Sequence, residues 1–424
     1  MRRIRKFAAR CAAAALIALQ PMFAYAQDAE RDVSANVAVM ERSREDYDPQ
    51  GLRFGGFVAR PAIDFEVGAS DNLFLSELNE QEDAWTAVRV RAPVASDWSR
   101  HAVRADLSAE RRMHQDFPSD DYTNYNAEIG GRLDVGSRGR VNARVAGGRR
   151  TEPRFSPDSP SAARKPIRFD YREAGLGAAH TFNRLTLGGD LSWRELDYDD
   201  GETILFTPLE QDDRDRTETF AALRAQYAVS PSWDVLIEGR YNKRDFDLEV
   251  PAAFQDRDSE GYEALLGLGF DVTRLARGKV LVGYLRQDYE EIALGWVEGV
   301  AVDAELEWFP SELTTVTAAA ARSVEESAYF GAGAYTLARA GVRVDHELFR
   351  NVILTGAVSA GKREFRGIDR EDVIAAGEFG ATYYLNRRFA LRVNYRREHQ
   401  NSYGLTADDD YDANVLSAAL TIAL

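Results

Sequence analysis

The chain has 424 residues, with 53 Lys and Arg against 69 Asp and Glu, and carries a formal net charge of -16 at pH 7. Phosphate binding needs a basic footprint, so this balance excludes nucleic acid as an expected partner. The only cysteine is Cys11, near the amino terminus, which excludes disulfide frameworks, cysteine nucleophiles and Cys-ligated zinc from the rest of the chain.

Residues 1–26 are predicted to be a secretory signal peptide. They combine a basic start, an apolar run over 11–19 and an Ala-Tyr-Ala cleavage site at 24–26. Loss of the five basic leader residues lowers the net charge from -16 to about -21. After the leader, no stretch approaches the roughly 20 apolar residues that a membrane helix needs. A membrane protein of this composition is therefore expected to be a closed barrel, because only helices and closed sheets pair all their backbone groups in lipid.

Residues 27–56 are polar and show no clean strand period, so we interpret them as a periplasmic lead-in to a barrel over 57–424. From Phe57 onward, strands alternate with short turns and longer polar loops. The short turns are 97–99, 136–139, 183–184, 230–232, 275–278, 310–312, 348–350 and 386–388. The long loops are 76–83, 116–121, 152–165, 197–213, 249–259, 290–295, 325–328, 366–371 and 401–410.

Eight turns and nine loops predict an all-β fold, a transmembrane antiparallel up-and-down barrel of about 18 strands. Short turns face the periplasm and long loops face outside, and both chain ends lie on the turn side. The alternative is a 16-stranded barrel, in which one hairpin within 296–324 has been miscounted.

The closing hairpin illustrates the two-faced strands. Leu391 and Val393 share one face, while Arg392 and Asn394 share the other, as the period of two requires. Aromatic residues recur at the ends of apolar faces, which favours interfacial girdles over ordinary strand formers. The examples are Phe389 and Tyr395, Trp233 and Tyr241, and Trp193 and Trp308.

Exposing charged side chains to hydrocarbon costs about 2–4 kcal/mol for each midplane cation, so the charged faces are expected to point into the lumen. Their opposite charges could form a structural lattice that braces the wall, or a polar surface along which a hydrated solute slides. The lumen-lining candidates are Arg89, Arg91, Arg104, Asp106, Glu110, Arg144, Asp190, Arg194, Glu238, Arg240, Asp303, Glu305, Glu307, Arg392 and Arg396.

The stretch 45–57 reads Glu-Asp-Tyr-Asp-Pro-Gln-Gly-Leu-Arg-Phe-Gly-Gly-Phe, and is followed by Pro61 and by Asp-Asn-Leu-Phe at 71–74. It resembles the alphaproteobacterial outer-membrane proteins of the putative beta-barrel porin 2 family. Their pattern is Tyr-Asp-Pro-x-Gly-Ile-Arg-x-Gly-Ser-Phe, a proline in the first strand, and Asp-Asp-Asn-x-Phe at its external end. The chain departs from that pattern at Leu52 for isoleucine, Gly56 for serine and Ser70 for the first aspartate.

Relatives in this family are often encoded beside exopolysaccharide synthesis and export systems. The resemblance therefore implies a barrel that passes a secreted polysaccharide, or a general diffusion porin of unassigned substrate, with no catalytic residues and no cofactor. Terminal Leu424 departs from the phenylalanine that outer-membrane barrels usually present to the assembly machinery, but it remains apolar.

Three further features are weaker indications of a functional site. His399 and Ser402 supply residue types of a barrel-embedded lipid or glycan hydrolase. The acidic runs 197–201 and 408–412 carry clustered carboxylates that could hold calcium or bridge to lipopolysaccharide phosphates through divalent ions. Neither run has the full ligand spacing, so we expect solvated loop tips and no metal site. The proline-rich stretch 156–166 is a candidate to fold into the lumen, or to stay outside as a mobile loop.

We therefore expect an outer-membrane channel for a hydrophilic solute, and not an enzyme. Expected partners are outer-membrane lipid and lipopolysaccharide, the barrel assembly machinery through the last strand, and periplasmic polysaccharide export components. A soluble secreted all-β protein is a third possibility, and it predicts release from the membrane fraction on alkaline washing.

Overall fold

The computed structural model describes residues 37–160, 163–247, 257–272, 275–291, 294–329 and 331–424, so the predicted signal peptide lies outside the described residues. Eighteen long strands form one sheet. They are β1 (Ala62–Ser70), β2 (Asp83–Ser96), β3 (Ala102–His114), β4 (Tyr122–Val135), β5 (Gly139–Thr151), β6 (Arg168–Phe182), β7 (Leu185–Tyr198), β8 (Arg216–Ser230), β9 (Trp233–Phe246), β10 (Ser259–Val272), β11 (Ala276–Tyr289), β12 (Trp296–Ser311), β13 (Thr314–Glu326), β14 (Ala334–Phe349), β15 (Val352–Arg366), β16 (Glu371–Tyr384), β17 (Phe389–Tyr403) and β18 (Tyr411–Ala423).

Every long strand pairs antiparallel with its neighbours in sequence, and β18 pairs with β1 to close the ring. In the closing seam Ile422 stands opposite Ile63, and Val415 stands opposite Ser70. The prediction of 18 strands is confirmed, and the 16-strand alternative is wrong. The hairpin within 296–324 is a genuine pair of strands, β12 and β13.

Polar and charged side chains on the inner side of the barrel connect the strands at the closing seam. The Asp64 carboxylate on β1 accepts two hydrogen bonds from Arg91 on β2, at 3.0 and 3.1 Å, and one from the Thr421 hydroxyl on β18, at 2.6 Å. One aspartate thus ties together the first, second and last strands. Because β1 is the shortest of the long strands, these contacts reinforce the ring at one of its short ladders.

The outer face is apolar because each strand alternates strictly. On β17, Phe389, Leu391, Val393 and Tyr395 are exposed, while the intervening side chains turn inward. Exposed aromatic residues recur near both ends of the strands, among them Trp233 and Tyr241 on β9. Eight residues of strand rise about 3.3 Å each, which separates those two rings by about 26 Å along the strand. That length suits the apolar band of an outer-membrane barrel.

The first strand is interrupted where the sequence contains Pro61. A short strand, Phe57–Ala59, pairs with the lower end of β2 and, on its other side, with Leu52–Phe54. Pro61 has no N–H to donate, which fits the break before β1 begins at Ala62, and its carbonyl accepts from the Leu424 N–H at 3.1 Å.

In the part of the chain that the structure describes, helix is confined to three single-turn 3-10 helices, at Val39–Glu41, Pro118–Asp120 and Asp212–Arg214. A two-stranded external ribbon joins Gly201–Glu202 to Pro208–Leu209. Among the described residues, no helix has the length and apolar character to cross a membrane.

The facing of β17 yields a matched test. Val393 is about half exposed on the outer face, and Asn394 is its inward neighbour. We expect Val393→Arg to destabilise the inserted barrel by about 2–4 kcal/mol, because it places a cation in hydrocarbon. Asn394→Arg should have little effect, since its side chain meets the inner-wall carboxylate of Glu378. Urea titration of the heat-modifiable gel shift in lipid vesicles measures both, and equal losses for the two variants would contradict the assigned facing.

Candidate functional site: the barrel lumen

The inner wall carries a lattice of paired charges. Arg89 on β2 donates to Glu110 on β3 at 2.6 Å, and Arg224 on β8 donates to Glu238 on β9 at 2.9 Å. Each partner lies on the face opposite the exposed apolar side chains. An individual exposed ion pair contributes only about 0–1 kcal/mol to folding stability, so the stability of such a wall depends on the connected network of pairs.

Arg240 on β9 forms the centre of this lattice. Its guanidinium donates to Glu238 at 2.6 Å, to Glu263 on β10 at 3.1 Å, and to Asp303 on β12 at 2.7 Å. Asp303 also accepts from Lys279 on β11 at 3.2 Å. A side chain can reach three strands away only across the concave side of a curved sheet. The charged face of these strands is therefore the inner one.

The structure places the predicted lumen-lining residues at the inward-facing positions of their strands. Several pair with one another or with inward residues that the sequence analysis did not single out. These pairs are Arg91 with Asp64, Arg144 with Glu173, Asp190 with Arg224, Arg194 with Glu218, Glu307 with Arg277, and Arg396 with Glu398. Arg104 and Asp106 share one face of β3, Glu305 lies between Asp303 and Glu307 on one face of β12, and Arg392 shares the face of Arg396 on β17. Their role in lining a conducting passage stays a prediction.

Guanidinium groups cover many of the inward aromatic rings. Arg112 lies 4.9 Å from the ring centre of Trp85, and Arg214 lies 4.2 Å from that of Tyr198. Such stacking is favourable by about 0.5–2 kcal/mol. Sequence analysis missed this feature, because the partners lie on different strands or loops. A guanidinium stacked in this way covers one face of the ring, so a sugar could not stack on that face.

The proline-rich loop between β5 and β6 folds into the lumen. Asp158 in this loop accepts hydrogen bonds from the Ala328 backbone N–H at 2.7 Å and from the Ser327 hydroxyl at 3.3 Å. These partners belong to the β13–β14 loop, eight strands further round the ring of 18 and nearly opposite. The loop therefore spans the external half of the lumen. Burial raises the pKa of the Asp158 carboxyl above its ordinary value, and the nearby Arg214 cation opposes that rise.

Buried ion pairs anchor the base of this loop. Arg214, from the β7–β8 loop, donates to both oxygens of Glu152 at 2.8 and 3.1 Å. Arg154 donates to both oxygens of Asp120, in the β3–β4 loop, at 2.9 and 3.2 Å. Three external loops are thereby locked to one another, which holds Asp158 over the lumen.

Residues 39–44 lie against the inner wall at the turn-side mouth of the barrel. Val39 is fully buried, and its N–H donates to the Thr315 hydroxyl at the start of β13, at 2.9 Å. Arg44 donates to the Val39 carbonyl at 2.7 Å, and Arg277 on β11 donates to Glu41 at 3.0 Å. The sequence predicted only a polar lead-in here. The lead-in shows no regular alternation of polar and apolar residues, so its sequence does not indicate that it docks against the inner wall.

His399 and Ser402 are not brought together. His399 lies on the outward face of β17 beside Asp412, with 3.3 Å between its Nδ1 and the carboxylate. Ser402 lies on the inward face and donates to Asp372 at 2.7 Å. The odd spacing places the two on opposite faces of the strand, so this histidine cannot act as the base for this serine.

The acidic runs are held by protein groups. Asp408 pairs with Arg370 at 2.9 Å, and the Asp410 carboxylate accepts from the Ser402 N–H at 2.6 Å. Asp199 pairs with Arg149 at 3.2 Å, and Asp200 accepts from the Gln211 N–H at 2.8 Å. Within the described ranges, no group of three or more His, Cys, Asp or Glu side chains is arranged to hold a metal ion.

The Asp158 contact is expected to keep the external half of the lumen narrow. A hydrogen bond to a charged group contributes about 1.5 kcal/mol or more, equivalent to about tenfold in a population ratio. We therefore expect Asp158→Ala to raise the open fraction in planar bilayers about tenfold. Asp158→Asn keeps an acceptor oxygen and should lie near the parent protein. Identical open fractions for all three proteins would contradict this role.

We expect Asp215, in the β7–β8 loop, to make the stability of the external loops depend on pH. Burial and the carboxylates of Asp197, Asp212 and Asp247 raise its pKa to about 6, although the Tyr198 N–H opposes them. Because the folded pKa exceeds the unfolded value, protonation favours the folded loop, whose stability grows as pH falls from 7 through 6.

A spin label attached through Leu205→Cys, at an exposed position of the same loop, reports this change. We expect its mobility to fall between pH 7.5 and pH 5. With Asp215→Asn the mobility should be low at both values, because the repelling charge is gone. A pH response that survives Asp215→Asn would assign the effect to another group.

Comparison with known proteins gives a family. The sequence model of the putative beta-barrel porin 2 family matches residues 45–424. A search of curated proteins finds no match. Among solved structures, Pseudomonas aeruginosa OccK2 (OpdF) is 11% identical, with 86% of this chain and 98% of that chain covered at a TM-score of 0.47. A BenF-like porin from Pseudomonas fluorescens Pf-5 is 12% identical, with 86% and 99% covered at a TM-score of 0.45.

Proposed function

Because the chain belongs to the putative beta-barrel porin 2 family, which it matches over residues 45–424, we propose that this porin-like outer-membrane channel passes a secreted exopolysaccharide. The observation that carries the proposal is the charge lattice of the inner wall. Arginines and carboxylates are paired with each other, as in the Arg240 network. A wall of mutually paired charges offers polar groups that can hydrogen-bond to water, and it has no strong net electrostatic field. A hydrated, hydroxyl-rich chain can therefore slide along it without binding tightly.

Export also requires the matching cellular arrangement. The predicted signal peptide would be cleaved near Gln27 and leave the lead-in in the periplasm. Strand β18 and its apolar end residue Leu424 would engage the assembly machinery. The external loops, rich in carboxylates, would meet lipopolysaccharide, and the turn-side mouth would meet periplasmic export components.

The alternative is a general diffusion porin for small hydrophilic solutes. The loop contact at Asp158 favours it, since a lumen narrowed in this way suits small solutes unless the loops move. A barrel hydrolase has less support, because Ser402 and His399 lie on opposite faces of β17.

Gene deletion in the native host separates these functions. We expect the deletion strain to lose most of its secreted polysaccharide and to accumulate it in the periplasm, and a plasmid copy should restore secretion. A second measurement follows uptake of a small sugar by the same cells. Normal secretion combined with slowed sugar uptake would support the diffusion porin and contradict the export role.

A further inference from the structure

One seam of the barrel wall is unfinished. Strand β12 pairs with β11 as far as Trp296, and β13 pairs with β14 as far as Glu326, but pairing between β12 and β13 ends at Val302 opposite Arg322. Residues 296–301 of β12 thus have no partner strand on that side. The Arg322 guanidinium occupies part of the gap and donates to the Val300 carbonyl at 2.9 Å.

Beyond this seam the β13–β14 hairpin folds inside the wall. Val324 and Ala334 belong to the face of their strands that points to lipid lower down. Here they pack against an apolar patch on the inner side of the neighbouring strands. The patch consists of Leu236, Leu265, Leu281, Leu285, Tyr289, Leu294, Val297 and Ala301. The outward face of one part of the sheet therefore overlaps the inward face of another.

Polar contacts hold the hairpin in this position. Glu326 pairs with Arg244 on the inner face of β9, and it accepts from the Tyr289 hydroxyl at 3.2 Å. Arg257 donates to the Ser327 carbonyl at 2.9 Å. With the Asp158 contact at the tip, these bonds place the hairpin across the external half of the lumen.

The sequence also fits a completed seam. Continuing the existing register places Ser323 opposite Ala301 and Val324 opposite Val300, whose side chain is exposed on the outer face. Val324 would then face lipid and Ser323 the lumen, while Arg322 and Glu326 would place charges at the external end of the outward face. The same register sets Glu326 opposite Glu298, a like-charge pair that works against it.

We propose that the upper part of the β13–β14 hairpin exchanges between two positions, packed inside the wall as here, and paired with β12 in the continued register. The inward position retains the buried leucines and the Glu326–Arg244 pair but leaves a strand edge open. The paired position closes that edge, as a barrel in lipid favours, and removes the hairpin from the external half of the lumen. The exchange stands without the proposed function, but its role as the gate for an exported polymer rests on it.

Two cysteine pairs test the exchange, in a chain whose only native cysteine, Cys11, lies in the predicted leader. Val300→Cys with Val324→Cys can form a disulfide only in the paired position. The matched control is Ala304→Cys with Ala320→Cys, which face each other in the existing register, four residues lower and in the same type of pair. Gel shift after mild oxidation measures the yield of both, and planar bilayers measure conductance before and after reduction.

We expect the control pair to cross-link quickly with unchanged conductance. The Val300/Val324 pair should cross-link more slowly, and its oxidised form should conduct at least about twofold more than its reduced form. Absence of the Val300/Val324 disulfide while the control forms would overturn the exchange. Cross-linking with unchanged conductance would overturn its gating role. If oxidised and reduced proteins both fail to conduct, the channel function fails while the cross-link still supports the exchange.

A charge variant biases the two positions without any cross-link. Glu326→Lys places a cation against Arg244 in the inward position and opposite Glu298 in the paired one. In the Val300/Val324 cysteine background we expect a severalfold faster disulfide. Glu325→Lys lies on the other face and should leave the rate near that of the parent pair. Equal rates in both variants would contradict the proposed register.

Discussion

The structure depends on one constraint, that a sheet crossing hydrocarbon must pair its backbone groups and turn its charges away from lipid. Eighteen strands meet the first demand by closing β18 onto β1, with Asp64 bonded to Arg91 and Thr421 inside the join. The alternation of each strand meets the second. Charges that must face inward then find one another, and the lattice around Arg240 is the result.

The same constraint explains why the external half of the lumen is occupied. A ring of this width is too large for wall side chains to fill, so loops and the β13–β14 hairpin enter it. The loops are held by individual polar contacts, such as Asp158 with Ala328 and Arg214 with Glu152, and the hairpin also packs against the apolar patch around Leu281. Contacts of this kind can be broken one at a time, which is consistent with a wall that is fixed and an interior that moves.

Much of the fold could be predicted from the sequence, because strand period and turn composition are local signals. The turn before Phe389 and the two-faced strand that follows both lie in a single window of sequence. The features that could not be predicted depend on contacts between residues that are far apart in the sequence. The unfinished seam at Val302 and Arg322 could not be located from the alternation, since Arg322 and Glu326 are isolated charges on an outward face that otherwise continues with Val324. The docking of Val39 on Thr315 joins residues 276 positions apart, and short polar segments show no periodicity that would indicate it. The separation of Ser402 from His399 was already implied by their odd spacing, because residues three positions apart on a strand lie on opposite faces. Considering only their residue types as a candidate catalytic pair did not take this into account.

The facing of the strands is the claim on which the lattice, the lumen and the gate all depend. Its most direct measurement is a spin-label scan along β17, residue by residue from Phe389 to Tyr403, in lipid vesicles, comparing collisions with molecular oxygen and with a water-soluble nickel chelate. The account predicts a period of two, with oxygen favoured at odd positions such as Val393 and the nickel chelate favoured at even positions such as Asn394. A profile with no alternation, or with water access at the odd positions, would contradict it.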